Sequence, residues 1–142
     1  MFSHAHRADF VNDHATVGDT IRIRTIRARR SQIDSARRLD DRQGAITMAN
    51  EGLDLCTADE KEIAFSLQLE LCAVLEQEGG VRQKGFKETL KGLVRAAEKT
   101  ANPRHQASAF ARVARFNLFT GDADKAEEAC LRALEKARAA DA

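Results

Sequence analysis

Between Thr20 and Arg38 the chain reads TIRIRTIRARRSQIDSARR, with seven arginines in nineteen residues and no lysine. Guanidinium groups at this density have two chemistries open to them. They can neutralise the phosphates of a nucleic acid, or they can grip carboxylates through paired N–H donors. Helical spacing sorts the stretch. Ile21, Ile26, Ala28, Ile33, Ala36 and Leu39 share one broad arc, and Arg24, Arg27, Arg30, Arg37 and Arg38 lie on the other side. Arg22 and Arg29 fall inside the apolar arc, where they must reach solvent along their apolar stems or pair with an acid nearby. Most of the stretch therefore reads as the polar side of an amphipathic helix. Nucleic acid stays as the alternative partner but is disfavoured. Asp34, Asp40 and Asp41 interrupt the patch, no aromatic residue interleaves for stacking, and the net charge is only +1.

The remaining chemistry-bearing residues are sparse. His4 and His6 form an H-x-H pair with no further ligand in register, and His14 and His105 stand alone, so no metal centre is expected. Cys56, Cys72 and Cys130 are odd in number and far apart. They read as buried free thiols of a reducing cytoplasm rather than as a disulfide frame or zinc site. The acid pairs Asp59-Glu60 and Glu127-Glu128 sit at expected helix starts, where the helix dipole accounts for them. There is no H-E-x-x-H, Gly-rich phosphate loop or G-x-S-x-G. No catalysis and no cofactor are expected. No apolar run reaches membrane-spanning length, and the N-terminus has no apolar signal core.

The elements that carry these residues are helical. One Pro and eight Gly in 142 residues leave few breakers, and apolar residues make up 43% of the chain. Residues 1–17 show no sustained period and are expected to be a flexible segment preceding one domain over 18–142. Ile21-Arg22-Ile23-Arg24 alternates like a strand, but the helical spacing continues beyond it and no partner strand follows. A first helix is expected over roughly 19–39, and a second after Asp40-Asp41. A third follows the capping-box pattern Thr57-Ala58-Asp59-Glu60 and ends at Gly79-Gly80. A fourth carries Phe86, Leu90, Leu93, Val94 and Ala97 on one face, with Lys84, Lys87, Lys91 and Arg95 opposite. Asn102-Pro103 opens the fifth, which carries Phe110, Val113, Ala114, Phe116, Leu118 and Phe119. Gly121-Asp122 opens the sixth, expected to bury Ala126, Ala129, Cys130, Ala133, Leu134 and Ala137.

Three segments then align: GAITMANEGLDL from Gly44, KGFKETLKGLVR from Lys84 and KAEEACLRALEK from Lys125. Each has a small residue in second place (Ala45, Gly85, Ala126). Seven residues on comes another small residue and a Leu (Gly52-Leu53, Gly92-Leu93, Ala133-Leu134). A period of 40 to 41 residues with two helices per unit predicts an all-α array of three antiparallel helical hairpins.

This pattern resembles the tetratricopeptide-repeat superfamily, in a long-helix variant like the repeats of some bacterial transcription regulators. The last hairpin carries the resemblance best, through Phe110, Val113-Ala114 and the stretch GDADKAEEACLRAL. Leu69, Ala73, Gly85 and Gly92 carry it in the middle hairpin, and Ala45 and Gly52 in the first. The resemblance implies a short α-solenoid in which the first helix of each pair lines a peptide-binding groove. Carried over, Arg27, Arg30, Asp34 and Arg37 would line it from the first helix. Glu70, Val74 and Gln77 would do so from the third, and Ala111, Arg115 and Leu118 from the fifth. The family's carboxylate-clamping Lys/Asn pattern is absent, since Arg30 and Asp34 stand there. The resulting expectation is a cytoplasmic, non-catalytic interaction module of adaptor, regulatory or chaperone-like type. It would bind a protein or peptide, with an acidic segment suiting the arginines. It would need no membrane, and a homo-oligomer is compatible with the sequence.

Overall fold

The computed structural model describes residues 4–79 and 85–141, with side chains from Val17 onward and without those of 78 and 79. It contains six helices and, among the described residues, no strand: α1 (His4–Arg38), α2 (Arg42–Leu55), α3 (Lys61–Gly79), α4 (Phe86–Thr100), α5 (Pro103–Phe119) and α6 (Ala123–Asp141). The helices pair as three hairpins, α1 with α2, α3 with α4 and α5 with α6, stacked into a short α-solenoid. Ile21 to Arg24 lie within α1.

Local chemistry sets most of the boundaries. Asp41 caps α2, its carboxylate accepting the Gly44 N–H at 2.9 Å. Asn102 caps α5 by accepting from the Arg104 N–H at 3.0 Å, with Pro103 in the first turn. Asp122 accepts from the Lys125 N–H at 3.1 Å, after Gly121 turns the chain at φ +84°. Thr57 to Glu60 depart from a capping box. They form a turn in which the Glu60 N–H bonds the Thr57 carbonyl at 3.1 Å, and α3 starts one residue later. The Glu60 carboxylate accepts the Thr57 N–H at 2.8 Å, but the Thr57 hydroxyl donates to that same carboxylate rather than capping the helix.

α1 begins at His4, about fifteen residues before the expected start. Gly18 does not stop it, since a mid-helix glycine costs only about 1 kcal/mol. Asp19 pairs with Arg22 one turn on at 3.1 Å.

The core runs through α1 to α5. α3 supplies Phe65, Leu67, Leu71, Cys72, Val74 and Leu75, all buried, as befits a helix apolar on two sides. α4 buries Phe86, Leu90, Leu93 and Ala97, and α1 contributes Ile26 and Ile33. Ile21, Ala28 and Leu39 are exposed, contrary to their place in the apolar arc, because among the described residues α1 packs mainly against α2 and, to a lesser extent, α3. Likewise, among the described residues, α6 packs chiefly on α5. It buries Ala126 and Ala129 and half-buries Ala133, while Cys130, Leu134 and Ala137 are exposed. Leu118 and Phe119 of α5 are exposed as well.

The small residues of the repeat serve different purposes. Ala45 and Ala126 are buried in their hairpins. Gly85 instead caps α4 at φ +86°, with nothing within 4 Å of where its Cβ would be. Gly52 is a close-approach position: a Cβ there would lie 2.9 Å from Leu67 Cδ1. Gly52→Val should therefore lower stability to urea by about 1–3 kcal/mol through overpacking. Gly18→Ala, where a Cβ meets nothing within 4 Å, should raise it by about 0.5–1 kcal/mol. A Gly52 variant as stable as the parent would contradict the α2–α3 approach.

Candidate interaction groove

The first helices of the three hairpins, α1, α3 and α5, lie side by side. At ~100° per residue, Glu62, Ser66, Leu69, Ala73, Glu76 and Gln77 form one stripe along α3 between its neighbours. None of these is fully buried. Ion pairs bound the stripe on both sides. Towards α1, Arg37 Nη1 donates to Glu70 at 2.8 Å. Towards α5, Glu76 accepts from Arg112 at 3.1 Å and from Arg115 at 2.6 Å. Further along, His105 Nε2 lies 2.5 Å from the Glu62 carboxylate, and its ring stacks on Phe65 with centroids 4.2 Å apart.

Of the residues expected to line a groove, Arg27, Arg30 and Asp34 join Glu70 around one depression, together with Ser31. Asp34 is paired with Arg38 at 3.0 Å and Glu70 with Arg37. Arg27 and Arg30 are exposed and make no ion pair among the described residues. The depression therefore presents two free guanidinium groups beside acids that are already neutralised. Gln77 is exposed two turns beyond Glu70, and Ala111, Arg115 and Leu118 share an exposed face of α5. Val74 is the exception: it is fully buried in the core. Arg115 is engaged by Glu76.

The pairing of Arg112 and Arg115 with Glu76, and of His105 with Glu62, escaped sequence reasoning. The signal was present as an i, i+3 arginine pair on α5 and acids recurring along α3. Which acid met which base depended on the register between hairpins.

Arg22 and Arg29, the two arginines inside the apolar arc, both find acids. Arg29 Nε lies 2.8 Å from Glu51, and its Nη1 donates to Gln32 at 2.8 Å. Arg22 binds Glu60, Asp19 and, at 3.4 Å, the Leu55 carbonyl at the end of α2. This knot ties α1 to the α2–α3 turn. Burial pushes the Glu60 carboxyl upward, but the Thr57 N–H and the Arg22 guanidinium outweigh it and hold the group below its ordinary value.

The thiols divide by location. Cys72 is fully buried, and burial raises its thiol to about 12. Burial also raises the half-buried Cys56. Cys130, expected to be buried, is exposed on the open side of α6. Among the described residues no three His, Cys, Asp or Glu side chains gather as a metal site would need. No described helix is long and apolar enough to cross a membrane. The side chains of His4, His6 and His14 lie outside the described residues. Comparison with protein-family models, curated proteins and solved structures finds no match.

The depressed Glu60 carboxyl stabilises the fold above its unfolded pKa, and that contribution disappears as pH falls through the lower folded value. Glu60→Gln should thus melt at a lower temperature than the parent at pH 7, with the difference closing below about pH 4. A gap independent of pH would exclude the ion pair as its source. Thiol alkylation gives a second check. Cys130 should react promptly in the native protein, and Cys72 only at the rate of unfolding.

Proposed function

We propose that this chain is a non-catalytic interaction module. It holds an extended peptide along the α3 stripe, the peptide's acidic segment or chain end seated at the α1 depression with Arg27 and Arg30 as its free anchors. The observation that carries this reading is the depression beside α1, where two unpaired guanidiniums stand next to acids that other arginines have neutralised. A carboxylate placed there gains charge-assisted hydrogen bonds without competing against an internal partner. Arg37, Glu70 and Arg115 shape the walls instead of contacting the ligand through free charges, and Gln77 offers an amide further along. The resemblance to tetratricopeptide repeats supports the same side of the solenoid as the binding face, and an adaptor or regulatory role in the cytoplasm.

Nucleic acid fits this face less well. Asp34, Glu70, Glu62 and Glu76 lie along the path a phosphate backbone would take, and a phosphate gains little from cations already bound to carboxylates.

The test is selection of binders from a random peptide library, followed by affinity measurement. Selected peptides should be enriched in Asp and Glu. Arg27→Gln/Arg30→Gln should weaken them about tenfold or more, the loss expected for charge-assisted bonds. Arg104→Gln/Arg138→Gln, a change of equal charge elsewhere, should leave affinity near the parent value. Equal losses from the two pairs would sink the groove. Tight binding to random oligonucleotides with a steep salt dependence would replace it with the nucleic-acid reading.

A further inference from the structure

On the other side of the solenoid, we infer that α4, α5 and α6 form a second docking trough, built to take an amphipathic helix of a partner protein with an acidic flank. At ~100° per residue, Phe110, Val113 and Asn117 point to the side of α5 opposite Arg115. The two surfaces therefore do not share residues. Between α4 and α5 there is a cavity of about 340 Å³ floored by Leu90, Val94, Phe110, Val113 and Phe116. A second, of about 220 Å³, lies between α5 and α6 and shares Phe110, Val113 and Asn117 with the first. The two form one continuous trough along α5.

The floor is rigid. Leu90 and Phe110 are buried, and Phe116 stacks on Phe86 with centroids 5.8 Å apart. The α4 wall is basic. Lys87, Lys91 and Arg95 recur at i, i+4 and i+8 along α4, one turn or ~6 Å apart. Lys125 and Arg132 face them from α6, with Glu128 as the acid in the lining. Arg132 binds Glu128 at 3.1 Å and lies 5.7 Å over the Phe110 ring, while Lys91 reaches Glu88 at 3.5 Å. Lys87 and Arg95 have no ion-pair partner among the described residues.

Charge complementarity selects the occupant. The unpaired cations, Lys87 and Arg95, stand two turns or ~12 Å apart along the α4 wall, farther than a single anionic head group spans. On the α6 wall, Lys125 is held by Asp122 at 3.7 Å and Arg132 by Glu128 at 3.1 Å. The trough is open along its length, unlike the enclosed pockets that bury most of a small ligand. An amphipathic helix lays apolar residues at i, i+3 or i+4, and i+7 onto such a floor. Glu or Asp on one flank would then meet Lys87, Lys91 and Arg95 of α4, while the other flank lies against the ion-paired α6 wall.

The experiment uses fluorescent synthetic helices of about 15 residues, the length at which an isolated helix begins to persist in water. One carries Leu at the docking positions and Glu on both flanks, a second has Lys for Glu, and a third keeps the first composition with the apolar period scrambled. In fluorescence anisotropy with the full chain, the Glu helix should bind at least tenfold tighter than either of the others, and more weakly as salt rises. Lys87→Glu/Lys91→Glu/Arg95→Glu, all exposed positions that circular dichroism should show folded, should reverse the preference towards the Lys helix. Val113→Asn should weaken the Glu helix without reversing the preference. Arg27→Gln/Arg30→Gln should leave it unchanged, which separates this surface from the α1 groove. Equal affinity for the Glu and scrambled peptides would overturn the proposal. So would retention of Glu-helix binding by the charge-reversed variant, or a dimer in sedimentation that this variant abolishes.

Discussion

α3 is apolar on two faces and cannot satisfy both against a single neighbour. That constraint organises the rest. Phe65, Leu67, Leu71, Cys72, Val74 and Leu75 leave water only when α1 and α2 close on one side and α4 and α5 on the other. At roughly 1.5–3 kcal/mol for each large side chain fully buried, this helix supplies on the order of 10 kcal/mol of the hydrophobic term. The outer helices have a lesser demand. Each has one neighbourly face and one free face, so their leucines and cysteines divide between core and surface.

With the centre fixed by apolar burial, charge settles the relation between hairpins. Three acids of α3 meet bases from both sides: Glu70 meets Arg37, Glu76 meets Arg112 and Arg115, and Glu62 meets His105. These partly exposed pairs contribute little net stability each. They fix register, and they remove most of the charge from the stripe between the first helices. What remains unpaired there, Arg27 and Arg30, stands out for that reason. Arg22 does a related job at the turn before α3, where Glu60 gathers the Thr57 N–H and the guanidinium into one knot.

The sequence made some of this legible and concealed the rest for physical reasons. Six helices, three hairpins and the caps at Asp41, Asn102 and Asp122 could be read because capping and apolar period are local. The start of α1 could not, because Gly18-Asp19-Thr20 looks like a helix start while the helix in fact begins at His4 and runs through it. Burial at the edges could not either. Leu134 has the same pattern as Leu93, yet Leu93 is fully buried and Leu134 is 52% exposed, because α4 lies between α3 and α5 while α6 packs mainly on α5. For the arginines within the apolar arc the sequence left two outcomes open, solvent along their stems or an acid nearby, and the acids Glu51 and Glu60 are what they find. The basic side of α4 looked like a solvated face and nothing more. Only the packing of α5 beneath it revealed an apolar floor, and Lys84 at its start lies outside the described residues.

The length of α1 has a mechanical meaning. It has 35 residues against the 14 of α2, its antiparallel companion. Among the described side chains, the one nearest its N-terminal end that fastens it to another element is Arg22, at the turn leading into α3. From there to His4 the helix is a rod of roughly 27 Å at 1.5 Å per residue. About that knot a rod multiplies angle into distance: a tilt of about 10° there corresponds to on the order of 5 Å at the tip. Small adjustments where α1 meets the body of the protein are thereby read out as large displacements at its far end. Whatever grips that end acquires, by the same leverage, a long handle on the solenoid.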